Sequence, residues 1–88
     1  MEQEVKVINK LGLHARAASL FAKESEKYKS KVELEKDGVR INAKSIMGIL
    51  MLAAPIGSTL KIIVNGTDES ECIQALVGLV NNKFNEEI

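Results

Sequence analysis

The chain has 88 residues, enough for one domain over residues 1–88 and no second core, which rules out multi-domain catalytic machinery. Its 12 Lys and Arg cancel 12 Asp and Glu for a formal net charge of +0, and Phe21, Tyr28 and Phe84 are its only aromatic residues. That balance, with so few stacking rings, argues against nucleic acid as a partner. A lone cysteine, Cys72, can form no intramolecular disulfide and reads as a small buried hydrophobe in a reducing compartment. The opening Met1-Glu2-Gln3-Glu4-Val5-Lys6 has neither a basic nor an apolar signal region. The longest apolar stretch, Ile46 to Ile56, is interrupted by Gly48 and Pro55 and falls short of the ~20 residues of a membrane span. A cytoplasmic protein without direct membrane insertion is expected.

In chain order, Val5 and Val7 alternate with polar neighbours from Glu4 to Ile8, the period of a half-buried strand that ends near Asn9. From Ala15 to Tyr28, residues Ala18, Phe21, Ala22, Ser25 and Tyr28 recur at helical spacing opposite Lys23, Glu24, Glu26 and Lys27, which predicts an amphipathic helix. Val32 and Leu34, then Val39 and Ile41, alternate around Asp37-Gly38, a hairpin signature. Ser45 is placed to cap a short helix through Leu52 that is apolar nearly all round and stops before Pro55. Leu60, Ile62 and Val64 predict a last strand ended by Asn65-Gly66. Asp68 with Glu71 resembles a capping box, and Cys72, Ile73, Leu76, Val80 and Phe84 line one face of a final helix. The order β-α-β-β-α-β-α, with strands that alternate, predicts an α+β fold whose four-stranded antiparallel sheet carries three helices on one face.

His14 is the only histidine and stands where the first helix begins. The first amides of a helix lack intrahelical acceptors and the helix dipole is positive there, so an anion on His14 meets the backbone amides of Ala15, Arg16 and Ala17. Arg16 adds a forked cation suited to phosphate oxygens. Imidazole is nucleophilic at neutral pH and holds phosphorus through a labile P–N bond, so the pair describes a phosphoryl site on histidine. There is no Walker-A loop, no carboxylate cluster for Mg²⁺ near His14 and no second His or Cys for zinc, so no cofactor or metal is expected.

Asn9-Lys10-Leu11-Gly12-Leu13-His14-Ala15-Arg16-Ala17-Ala18 resembles the active-site motif of the HPr family, histidine phosphocarriers of the bacterial sugar phosphotransferase system. Lys44-Ser45-Ile46-Met47-Gly48-Ile49-Leu50 resembles that family's regulatory-serine segment, and the likeness runs from Glu4 to Phe84. The resemblance implies the HPr-like open-faced β-sandwich, and a monomer that takes phosphate on Nδ1 of His14 from enzyme I and passes it to IIA-type permease components, with Arg16 assisting. It also implies HPr kinase/phosphorylase as a partner acting on Ser45. Read alone, Ser45 is an ordinary N-cap. Ala17 stands where members of the family usually have proline, which leaves the first helical turn less rigid.

Leu20, Ile46, Met47 and Leu50 are expected to form an apolar partner-binding patch near His14, with Ile49 and Leu52 turned inward. Two alternatives are set against the phosphocarrier. A related carrier in a nitrogen-regulatory phosphotransfer chain would show the same features. A ferredoxin-like binding module would need a Cys-x-x-Cys metal loop or strand aromatics, and this chain has neither.

Overall fold

Period-two alternation buries Val5 and Val7 and sets the direction of the first strand. In the computed structural model, which describes residues 1–87, the elements are β1 (Glu2–Lys6), α1 (Ala15–Glu26), β2 (Lys31–Lys36), β3 (Val39–Asn42), α2 (Ile46–Met51), β4 (Thr59–Asn65) and α3 (Glu69–Asn81), then a 3-10 turn at Lys83–Asn85. The expected order of strands and helices is present. The four strands lie in the order β1-β4-β2-β3, every neighbour antiparallel. β1 starts two residues before the alternation predicted, because Glu2 and Gln3 find partners in Ile63 and Ile62 of β4.

One face of the sheet is the core. Leu60, Ile62 and Val64 of β4 and Val32 and Leu34 of β2 point into it and meet Phe21 of α1, Ile49 of α2, and Leu76 and Val80 of α3. Among the described residues the opposite face carries no helix and is tiled with charge: Lys61 lies 3.6 Å from Glu2 and 3.9 Å from Glu35, and Arg40 lies 3.0 Å from Glu35. Ile63 points to that face and is nonetheless buried, between Glu2 on β1 and Glu33 on β2.

Three expectations are corrected. α1 ends at Glu26, and Tyr28 lies past its C-cap Lys27, where the Tyr28 N–H bonds Ser25 O in the shorter i−3 pattern. Phe84 is fully buried but lies outside α3, in a turn whose residues Lys83, Phe84 and Asn85 have φ of 56°, 53° and 63°. The capping box does not form, because the Asp68 carboxylate accepts from Lys29 N at 2.9 Å, Ser30 N at 3.0 Å and the Ser30 hydroxyl instead. Asp68 thus ties the end of α1 to the start of α3, and Glu69 takes the Gly66 N–H at 3.1 Å.

The Ser30 hydroxyl, then the Lys29 amide, hold the Asp68 carboxyl below the usual carboxylate range. A group whose folded pKa is depressed stabilises the fold above its unfolded pKa and loses that contribution as pH falls through the folded value. Acid unfolding below about pH 4 is therefore expected to be shallower in Asp68→Asn than in wild type. Melting temperatures of both from pH 6 to pH 2 check it, and parallel curves refute it.

Candidate functional site

The loop between β1 and α1 is held from two sides. Asn9, fully buried, donates from Nδ2 to Gly12 O at 2.8 Å, and the Gly12 N–H returns to Asn9 O at 3.1 Å. Gly12 has φ of +67°, and a Cβ there would sit 2.6 Å from Ala54 O, so only glycine fits between this loop and the segment after α2. The Leu13 N–H to Ala54 O bond at 2.9 Å fastens the same contact. The position of His14 is thereby set by packing against a distant stretch of chain.

His14 is the N-cap of α1, with extended backbone at φ −78° and ψ 179°. The first helical hydrogen bond runs from Ala18 N–H to His14 O at 2.9 Å, leaving the amides of Ala15, Arg16 and Ala17 at the open end. Arg16 N–H points at His14 Nδ1 at 3.3 Å, so the ring takes the place of the usual capping oxygen. The imidazole is 28% exposed, within reach of a docked protein. Ala17 itself is buried.

The second ring nitrogen has an unexpected partner. Nε2 of His14 is in hydrogen-bond contact with Oε2 of Glu86, which also lies 3.3 Å from Arg16 Nη1. The other carboxylate oxygen accepts from Asn9 Nδ2 at 3.1 Å. The Glu86 side chain is only 6% exposed. The His14 hydrogen bond is the main reason its carboxyl lies below the ordinary glutamate range, with the Asn9 amide adding to it. An ionised carboxylate only accepts, so Nε2 carries the ring hydrogen and the Nδ1 lone pair faces the helix terminus.

Ser45 caps α2, its hydroxyl oxygen accepting from Gly48 N at 3.0 Å. Beside it Ile46 and Met47 are exposed, at 40% and 69%, while Leu50 and Leu20 are half-buried against the core. Ile49 and Leu52 are turned inward. Met51, at 77%, Leu11 and Ile56 are exposed apolar residues that helical spacing did not single out. Among the described residues no three His, Cys, Asp or Glu side chains gather as a metal-ligand set.

The family model described as PTS HPr component phosphorylation site matches residues 1–82. The chain belongs to the HPr family of phosphocarriers. It is 44% identical over 86 residues to the phosphocarrier protein HPr of Neisseria meningitidis, covering 98% of this chain and 97% of that one. Among solved structures it is similar to an HPr from Thermoanaerobacter tengcongensis, with a TM-score of 0.96 and 45% identity over 100% of this chain and 99% of that one. A structure described as an HPr dimer from the same organism matches with a TM-score of 0.80 and 46% identity, over 93% and 94% of the two chains. Family membership displaces the ferredoxin-like module.

Motif spacing placed His14 and Arg16 together, and they do lie at one helix terminus. It gave Asn9 and Glu86 no role. Asn9 stood inside the quoted motif, where an asparagine three residues before a glycine was the available signal. Glu86 lies 72 residues from His14. Its only trace is the run Asn81-Asn82-Lys83-Phe84-Asn85, whose asparagines tolerate positive φ and mark a chain reversal.

Proposed function

We propose that this chain carries a phosphoryl group on Nδ1 of His14 within the cytoplasm, receiving it from phospho-enzyme I and delivering it to IIA-type components of sugar permeases. The observation that supports this most is the division of labour on the imidazole. Nε2 is engaged by Glu86, and the Nδ1 lone pair lies at the open end of α1, where it accepts the Arg16 N–H at 3.3 Å, a contact that an incoming phosphoryl group takes over. A phosphoryl group on Nδ1 meets the first-turn amides of Ala15, Arg16 and Ala17 and the positive end of the helix dipole. The Arg16 guanidinium, 52% exposed, is free to turn from Glu86 to a phosphoryl oxygen. Leu20, Ile46, Met47 and Leu50 supply an apolar docking surface for these partners, with methionine adapting to each.

Incubating the protein with phosphoenolpyruvate and enzyme I, followed by intact mass, tests the reading. A single acid-labile, alkali-stable phosphoryl adduct is expected, and its absence sinks the proposal. Arg16→Ala is expected to fold normally and to be phosphorylated roughly 10-fold more slowly, the loss of one charge-assisted contact to the moving phosphoryl group. Unchanged initial rates remove Arg16 from the mechanism. Size-exclusion chromatography with light scattering checks the expected monomer.

Ser45 extends the proposal to regulation by HPr kinase/phosphorylase. A phosphoserine there adds about −1.5 to −2 charges beside Ile46 and Met47, where the helix terminus stabilises it in the free protein and an apolar partner surface does not. Ser45→Asp keeps a capping oxygen and adds part of that charge. It is expected to melt at or slightly above the wild-type temperature and to raise the KM for enzyme I by roughly 10-fold, equivalent to about 1.4 kcal/mol of docking energy. Equal phosphorylation rates at sub-saturating concentration leave the serine a cap and nothing more.

A further inference from the structure

Glu86 reaches the imidazole only because the chain reverses after α3. Lys83, Phe84 and Asn85 are all in the left-handed region, a conformation that costs non-glycine residues energy and persists only where surrounding contacts hold it. Phe84, fully buried, supplies the hold from below. Asn9 supplies it from above, spending its two Nδ2 hydrogens on Gly12 O and Glu86 Oε1 and so joining the carboxylate to the loop that carries His14. The outcome is a carboxylate almost withdrawn from solvent on the far side of the ring from the nucleophilic nitrogen.

Resting on the phosphocarrier reading, we propose that Glu86, held by Asn9, is a positioning residue for phosphoryl transfer: it keeps the proton of His14 on Nε2 and offsets the positive charge the ring acquires. During transfer the Nδ1 lone pair forms the bond to phosphorus while the bond from phosphorus to the phosphorylated donor protein breaks, its electron pair staying on the donor. No proton leaves the ring. His14 becomes an N-phosphorylated imidazolium whose Nε2–H points at Glu86, and delivery to an acceptor returns the N–P electron pair to Nδ1. A carboxylate behind an imidazole plays the same orienting and charge-stabilising part in a serine-protease triad.

Among the described residues, the charged side chains paired around the ring are Glu86 and Arg16, so a change in Glu86 reads directly on His14. The test follows the His14 ring nitrogens of the full chain by long-range ¹H–¹⁵N spectroscopy from pH 5 to pH 9, without any partner, in wild type, Glu86→Ala, Glu86→Gln and Glu87→Ala. Glu86→Ala is expected to admit the Nδ1–H tautomer, so that the two ring nitrogen signals move toward each other. Glu86→Gln keeps an acceptor for Nε2–H, so it should hold the tautomer. Glu87→Ala, at an exposed neighbour, should match wild type.

Phosphorylation by phospho-enzyme I is then measured against concentration. Glu86→Ala is expected to lower kcat about 10-fold with KM within a factor of two, as removal of an outer partner of a reacting imidazole does. Glu86→Gln should fall between that variant and wild type. Ring signals of Glu86→Ala that superimpose on wild type overturn the proposal, and so does an unchanged kcat. If wild type accepts no phosphate at all, the carrier reading fails together with any role in transfer, while the partner-free spectra still report whether Glu86 governs the ring.

Discussion

Replacing His14 by alanine is expected to abolish acid-labile phosphorylation by phospho-enzyme I down to background, the largest functional effect any single substitution in this chain should have. The chain holds no second histidine, and its lone cysteine is buried. Burial, with the Asp68 charge nearby, pushes that Cys72 thiol up to about 11, far from a reactive thiolate at neutral pH. The fold should survive the change. Alanine loses the ring that accepts the Arg16 N–H, a cap of about 1 kcal/mol, but Glu86 keeps Arg16 and Asn9 as partners. A melting temperature lowered by only a few degrees, beside a complete loss of the adduct by intact mass, is the expected pair of results. A His14→Ala protein that still gains an acid-labile phosphate would falsify the assignment of the carrier residue.

Phe84→Ala is expected to have a large effect on stability, and to reach the site through it. The ring is fully buried among the residues of the core, so truncation forfeits its transfer free energy and leaves a cavity, together about 3–5 kcal/mol. For a domain of this size each kcal/mol is worth roughly 4–8 °C, so the melting temperature should fall by roughly 15 °C or more. The left-handed turn at Lys83–Asn85 then loses its anchor and Glu86 its reason to stay beside His14. At a temperature where the variant is still folded, its His14 ring nitrogens should show the Nδ1–H tautomer expected of Glu86→Ala. A variant that melts within about 5 °C of wild type would show that the turn is held by something other than this ring.

Helical and strand periods, the Asp37-Gly38 turn and the Ser45 cap were legible along the chain because each is decided by residues within a few positions of one another. The same is true of His14 with Arg16, two residues apart across one helix terminus. Their motif identified the family, and the family implied the fold. Polar side chains with more than one possible partner were not legible. Asp68 has the spacing of a helix cap but faces the end of α1, and three donors from Lys29 and Ser30 outcompete the cap.

Composition and local pattern by themselves thus determined the α+β class, the order of the elements, the inward faces and the histidine at the start of α1. Only the tertiary structure decided which carboxylate stands behind that histidine. Glu86 is 72 residues away, and its approach depends on three consecutive positive φ angles, two of them at Lys83 and Phe84, where local propensity disfavours them. It also depends on Phe84 filling the core and on Asn9 being buried where it bonds two distant segments. Such a contact follows from the closure of the whole chain around its core, and a signal read a few residues at a time does not contain it.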